Sequence, residues 1–102
     1  MSTTKEQLNQ VLEKLDQTPL NITSRPMMGE YLLYADGVLF GGLYDGRFLI
    51  KKTETNAVFN LPEAIPYEGS KKTMYQIKDL EDMKKVAEII EATLESLKKA
   101  LK

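Results

Sequence analysis

Two Asp-Gly pairs nine residues apart, Asp36-Gly37 and Asp45-Gly46, divide the stretch Tyr31 to Lys52 into three short apolar segments. A two-residue type I′ hairpin turn needs positive φ at both central positions, which glycine adopts freely and aspartate tolerates, so both pairs are tight turns. The stretch therefore reads as a three-stranded antiparallel meander. Such turns fix the register by pairing Ala35 with Val38 and Tyr44 with Arg47, after which side chains alternate between faces. One face then carries Leu32, Tyr34, Leu39, Gly41, Leu43, Phe48 and Ile50. The other carries Tyr31, Leu33, Val38, Phe40, Gly42, Tyr44 and Leu49 with Arg47 and Lys51. Neither is polar, and a meander with one wet face should alternate cleanly. A helix of the chain or a second subunit is expected over the second face.

The rest of the chain supplies helices at both ends. Leu8, Val11, Leu12 and Leu15 recur at helical spacing within Thr3–Gln17, with Thr3 and Glu6 as a capping box and Pro19 as the stop. Residues 20–30, LNITSRPMMGE, read as an ordered connector, because Pro26 drives Arg25 extended and turn formers surround it. Residues 53–60 suggest a short helix or turn, and Pro62 and Pro66 keep the following segment non-helical. Lys72–Ile77 has strand composition, with a further strand near Ile65–Tyr67. From Asp79 as cap to Lys102, Leu80, Met83, Ala87, Ile90, Leu94, Leu97 and Leu101 make an apolar stripe that Val86 and Ile89 widen. Glu81 and Asp82 fill the positive first turn, and Lys98, Lys99 and Lys102 the negative end. The expected fold is α+β: an antiparallel sheet, the meander plus one or two further strands, packed with N- and C-terminal helices.

At 102 residues the chain is one domain, 1–102, long enough to bury a core without staples. It has no Cys and no His, which removes disulfides, thiolate chemistry and the commonest metal ligand and general base. Lys and Arg number 14 against 15 Asp and Glu, a formal charge of −1, so direct nucleic-acid binding is not expected. No apolar run reaches the ~18 residues of a membrane span, and MSTTKEQLNQ lacks a signal-peptide layout, so the expected location is the cytoplasm.

Few residues suggest chemistry. Asp36 and Asp45 cannot converge as a catalytic or metal pair, because successive turns lie at opposite ends of a strand about 20 Å long. Gly41-Gly42 lies inside a strand without a phosphate-loop pattern, which points to a bulge or to close approach of another backbone or an aromatic. Lys51, Lys52, Lys71 and Lys72, joined by Arg25 and Arg47, would make a basic patch. Glu54, Glu63 and Glu68 dilute it, so solvated surface is the expectation. Glu81 with Lys85, Lys84 with Glu88 and Glu95 with Lys99 are ordinary helix-surface pairs, and Met27 and Met28 read as gap fillers.

The run SRPMMGEYLLYADGVLFGGLYDGRFLIKK, followed by a Pro-Tyr segment, TMYQI and an acidic-capped helix, resembles the N-terminal domain of the TfoX/Sxy competence regulators. Arg25, Met27 and Gly29 match the family's R-x-M-x-G entry. Tyr34-Ala35-Asp36-Gly37, Phe40-Gly41, Asp45-Gly46-Arg47 and Lys51 follow it, whereas Met28 and Glu30 stand where an aromatic and a glycine are common. The resemblance implies a secretion-chaperone-like α+β domain with a regulatory role, usually without an enzymatic or metal site; no cofactor is expected, and the chain is read as a stand-alone version of that domain, since the founding members carry a second, helical one. Its expected interaction surface comprises Arg25, Met27, Arg47, Lys51 and Tyr75. The expected partners are an unidentified protein and a second copy of the chain, with no membrane and no direct nucleic-acid contact. The alternatives are a small-ligand protein or enzyme with its site near Arg25 and Lys51, and a chaperone-like dimer that binds an extended peptide.

Overall fold

The computed structural model describes residues 3–100, and their order is α1 (Lys5–Leu15), β1 (Ile22–Met27), β2 (Glu30–Ala35), β3 (Val38–Tyr44), β4 (Arg47–Ile50), a 3-10 turn (Ala57–Phe59), β5 (Glu63–Ala64), β6 (Met74–Gln76) and α2 (Met83–Ala100). The strands form one antiparallel sheet in the order β1-β2-β3-β4-β6-β5. Both helices pack on the same face: Leu8, Val11 and Leu15 of α1 and Val86, Ile89, Ile90 and Leu94 of α2 share a core with Leu33, Phe40, Leu43, Phe48 and Ile50. The chain is thus α+β with terminal helices, as its pattern implies.

The turn pairings Ala35–Val38 and Tyr44–Arg47 form as expected, with Asp36 and Asp45 at positive φ. Between them the register breaks. Tyr34 pairs with Leu39 but Leu33 pairs with Gly41, so β3 carries one extra residue at Phe40. A bulge of this kind puts two residues opposite one and resets the alternation beyond it. The expected division of faces is therefore wrong. The bulge brings Leu33 and Phe40, expected on one face, together with Leu43, Phe48 and Ile50, expected on the other. All five lie on the helix-covered face and are 3 % exposed or less. Phe40 and Phe48 meet edge to face there, centroids 6.3 Å apart, and each large side chain so buried stabilises by about 1.5–3 kcal/mol.

The two glycines explain themselves. A Cβ on Gly41 would lie 2.3 Å from the Leu49 carbonyl oxygen, so the bulge lets β4 approach closely. A Cβ on Gly42 would lie 2.6 Å from the Tyr31 carbonyl oxygen and 3.0 Å from Tyr44 Cε2, so the missing side chain lets the β2 backbone approach and admits the Tyr44 ring.

Four boundaries differ from the sequence expectation. The connector over residues 20–30 contains β1, and Met28-Gly29, at φ 49° and 84°, is a third two-residue turn of the same kind. Pro26 is accommodated because β1 is an edge strand, where a missing ladder donor is tolerated. The α1 cap is one residue later than expected: Thr4 accepts from the Gln7 amide at 3.1 Å while Gln7 Oε1 accepts from the Thr4 amide at 2.8 Å. Likewise α2 starts at Met83, with Asp82 Oδ1 accepting from the Lys85 amide at 3.2 Å. Asp79 instead closes a turn onto the Glu81 amide at 2.9 Å. No strand forms over Ile65–Tyr67, where one was expected; the short strand of this region is β5, just before it at Glu63–Ala64, and β6 lies within Lys72–Ile77. Leu101 and Lys102, expected to end the last helix, lie outside the described residues.

Thr3, freed from capping, is buried and knots three segments together. Its hydroxyl donates to Glu30 Oε1 at 2.7 Å and accepts from the Gly46 amide at 3.0 Å, while the Glu30 carboxylate accepts from the Asp45 amide at 3.1 Å. A second polar knot docks the loop after β4 on α2. The wholly buried Asn56 donates to Lys51 O (2.8 Å) and Thr93 Oγ1 (2.9 Å) and accepts from the Thr53 amide (2.9 Å). Every buried side-chain polar atom among the described residues has a partner, as a stable interior requires.

Candidate functional site

The face of the sheet away from the helices holds two regions of interest. Over β1, β2 and β3 it is uncovered: Leu32, Tyr34 and Leu39 are half-buried there, and Met27 is 37 % exposed beside them. Arg25 also lies on this face, its guanidinium 6.0 Å from the Tyr34 ring centroid in a cation–π arrangement. The sheet's two edges are guarded. β1 carries Arg25 and Pro26, and β5 is two residues long, both devices that discourage strand addition.

Over β4 and β6 the same face is roofed by the segment 66–73. Arg47 holds the roof by donating from Nη2 to the Pro66 carbonyl at 3.3 Å, its Nε donating to Tyr44 O at 3.2 Å. The roof turns at Gly69, where φ is +90° and glycine is favoured. It is then stiffened by Ser70, whose hydroxyl donates to Lys72 O at 2.9 Å. Between roof and sheet opens a concavity of about 1060 Å³ lined by Tyr44, Lys51, Lys52, Pro66, Tyr67 and residues 69–74. All four lysines of the sequence-level patch line it, and no carboxylate does.

The expected dilution by acidic neighbours is thus narrower than sequence adjacency suggests. Glu63 is turned to Lys52, 2.6 Å from Nζ, and accepts from the Thr73 hydroxyl at 2.6 Å. Those two hydrogen bonds, Lys52's first, hold the Glu63 carboxyl below its usual range. Lys51, Lys71 and Lys72 form no ion pair among the described residues. Tyr44 stays protonated at neutral pH, its pKa raised by burial first and then by repulsion from the nearby Glu30 carboxylate.

The five expected site residues do not form one cluster. Arg25 and Met27 stand on the open end of the outer face, and Lys51 lies in the concavity three strands away, about 14 Å at the usual strand spacing. Arg47 positions the roof. Tyr75 pairs with Ile50 on the opposite face and packs against the core, with Lys52 Nζ 5.6 Å from its ring. Sequence reasoning missed Tyr67, Ser70 and Thr73 as lining residues. The turn-forming run Pro66–Ser70 before a Lys pair was the available signal.

No protein-family model matches this chain, and no curated protein or solved structure matches it either. No helix of the described residues is long and apolar enough to cross a membrane.

Proposed function

We propose that this chain is a non-enzymatic regulatory domain that acts in the cytoplasm through a protein partner, as its resemblance to the TfoX/Sxy N-terminal domain implies. The observation that carries the reading is the outer face of β1–β3, where Met27, Leu32, Tyr34 and Leu39 form an apolar strip that no helix of the chain covers. Apolar strips rimmed by polar side chains such as Arg25 are characteristic of protein contacts. With both edges guarded, docking onto the face is favoured over adding a strand. The purified protein pairs with its own copy through the same strip, a two-fold arrangement being the commonest way to cover such a patch.

The test is capture from the host with wild-type and Leu39→Lys baits, followed by titration of the captured protein in purified form. A partner that binds wild type and is lost with Leu39→Lys is expected; one retained equally by both rules out this face. Sedimentation equilibrium should return twice the 11.6 kDa of one chain for wild type and one chain's mass for Leu39→Lys. A single-chain mass for both ends the self-association claim. Micromolar binding to random-sequence duplex that weakens steeply with salt would show direct nucleic-acid contact instead.

A further inference from the structure

The lysine-lined concavity has no part in that reading, yet it gathers four lysines in one hollow. The chain as a whole is nearly neutral, 14 basic residues against 15 acidic, so a hollow lined by four lysines and no carboxylate is a local excess of one sign. Lys52 is matched by Glu63. Lys51, Lys71 and Lys72 line the same hollow and form no ion pair among the described residues, and ammonium groups gathered in a concave site raise the local concentration of anions.

The hollow is not only cationic. Tyr67 stands at its wall with 62 % of its surface exposed, far more than a tyrosine recruited for packing needs. Tyr44 and Pro66 add apolar surface to the lining, which also includes Ser70 and Thr73. The framework is held rather than loose: Arg47 grips the Pro66 carbonyl, Ser70 closes the loop on Lys72, and Thr73 is tied to Glu63. A ligand suited to these walls has several negative charges for three unmatched ammoniums and a flat ring for the tyrosine face. We infer that the concavity formed by the 66–73 roof with Tyr44, Lys51, Lys52 and Met74 binds a nucleoside polyphosphate. Its phosphates lie on Lys51, Lys71 and Lys72 and its base against Tyr67. The volume, about 1060 Å³, is at the upper end of small-molecule sites. The regulatory domain thereby gains an effector site on the same sheet face as its protein-binding strip.

Calorimetric titration of the full chain at low salt, without magnesium, tests the assignment with ATP, pyrophosphate and adenosine as probes. ATP is expected to bind, pyrophosphate more weakly, and adenosine not measurably. The pair Lys71→Gln/Lys72→Gln should weaken ATP by about tenfold or more and Lys51→Gln by about three- to tenfold, the range for partly screened charge-assisted contacts. Tyr67→Ala should weaken ATP by about fivefold, the scale of one stacked base, and leave pyrophosphate unchanged. Lys84→Gln, on the exposed side of α2, should change nothing. Lys71, Lys72, Tyr67 and Lys84 are exposed and Lys51 is half-buried, and unchanged melting temperatures separate lost binding from lost folding. No ATP binding at millimolar concentration overturns the proposal, as does equal weakening by Lys84→Gln. Displacement of ATP by duplex DNA at lower phosphate concentration would assign the hollow to a nucleic-acid backbone instead.

Discussion

At the scale of single residues, the sheet depends on side chains that are absent. A methyl group on Gly41 would meet the Leu49 carbonyl oxygen at 2.3 Å and Ile50 Cα at 2.9 Å, both backbone atoms that cannot rotate aside. Gly41→Ala must therefore push β3 from β4 or remove the bulge. Its cost should reach or exceed the upper end of the ~1–3 kcal/mol typical of overpacking. Gly37→Ala is the control. Its φ of +81° imposes strain, but nothing lies within 4 Å of the new methyl, so about 1–2 kcal/mol is expected. Urea denaturation of the two variants should rank Gly41→Ala as clearly the less stable. The reverse order would mean that the strands separate there at little cost.

At the scale of elements, boundaries follow hydrogen bonds more closely than composition. Asp79 and Asp82 are equally good capping residues on paper, and Leu80 fits the apolar stripe, which is why the sequence suggests an earlier start to α2. In the structure Asp82 alone caps the helix, while Asp79 holds the turn before it. Asp82→Ala should then cost about 1 kcal/mol, the usual loss for an N-cap, and Asp79→Ala clearly less, as read by thermal unfolding. Equal losses would extend the helix start back to Asp79. The hairpins of the meander were legible because Asp-Gly specifies both turn geometry and strand pairing. β1 was not, because Met28-Gly29 lacks the first residue's usual type and Pro26 reads as a breaker until the strand is known to be an edge. Gly41-Gly42 inside a strand pointed to a bulge or a close approach, and both are there, but the effect of the bulge on the two faces was illegible for a different reason. Strict alternation over Val38–Tyr44 leaves both faces apolar, and only packing against two helices decides which large side chains go inside.

At the scale of the whole molecule, the residues that the sequence proposes as an interaction surface are not grouped by the fold. Arg25 and Lys51 are separated by the width of the meander, and Tyr75 is turned to the core by its pairing with Ile50. The lysines could be grouped only once the segment 66–73 was seen to fold back over β4. The knot made by Thr3, Glu30 and the Asp45-Gly46 turn has a consequence for motion. Amides at a hairpin tip ordinarily exchange with solvent quickly, since nothing in the hairpin itself protects them. Here the Gly46 amide is held by a hydroxyl carried on the residue that leads into α1, and the Asp45 amide by a carboxylate from β2. Hydrogen–deuterium exchange at Gly46 should therefore be slow in the wild type and fast in Thr3→Val, while amides in the middle of β3 stay unchanged. An equally fast Gly46 in both proteins would mean that the bond opens often. If the difference is seen, that one amide at a loop tip becomes a clock for how often the first helix lifts from the sheet.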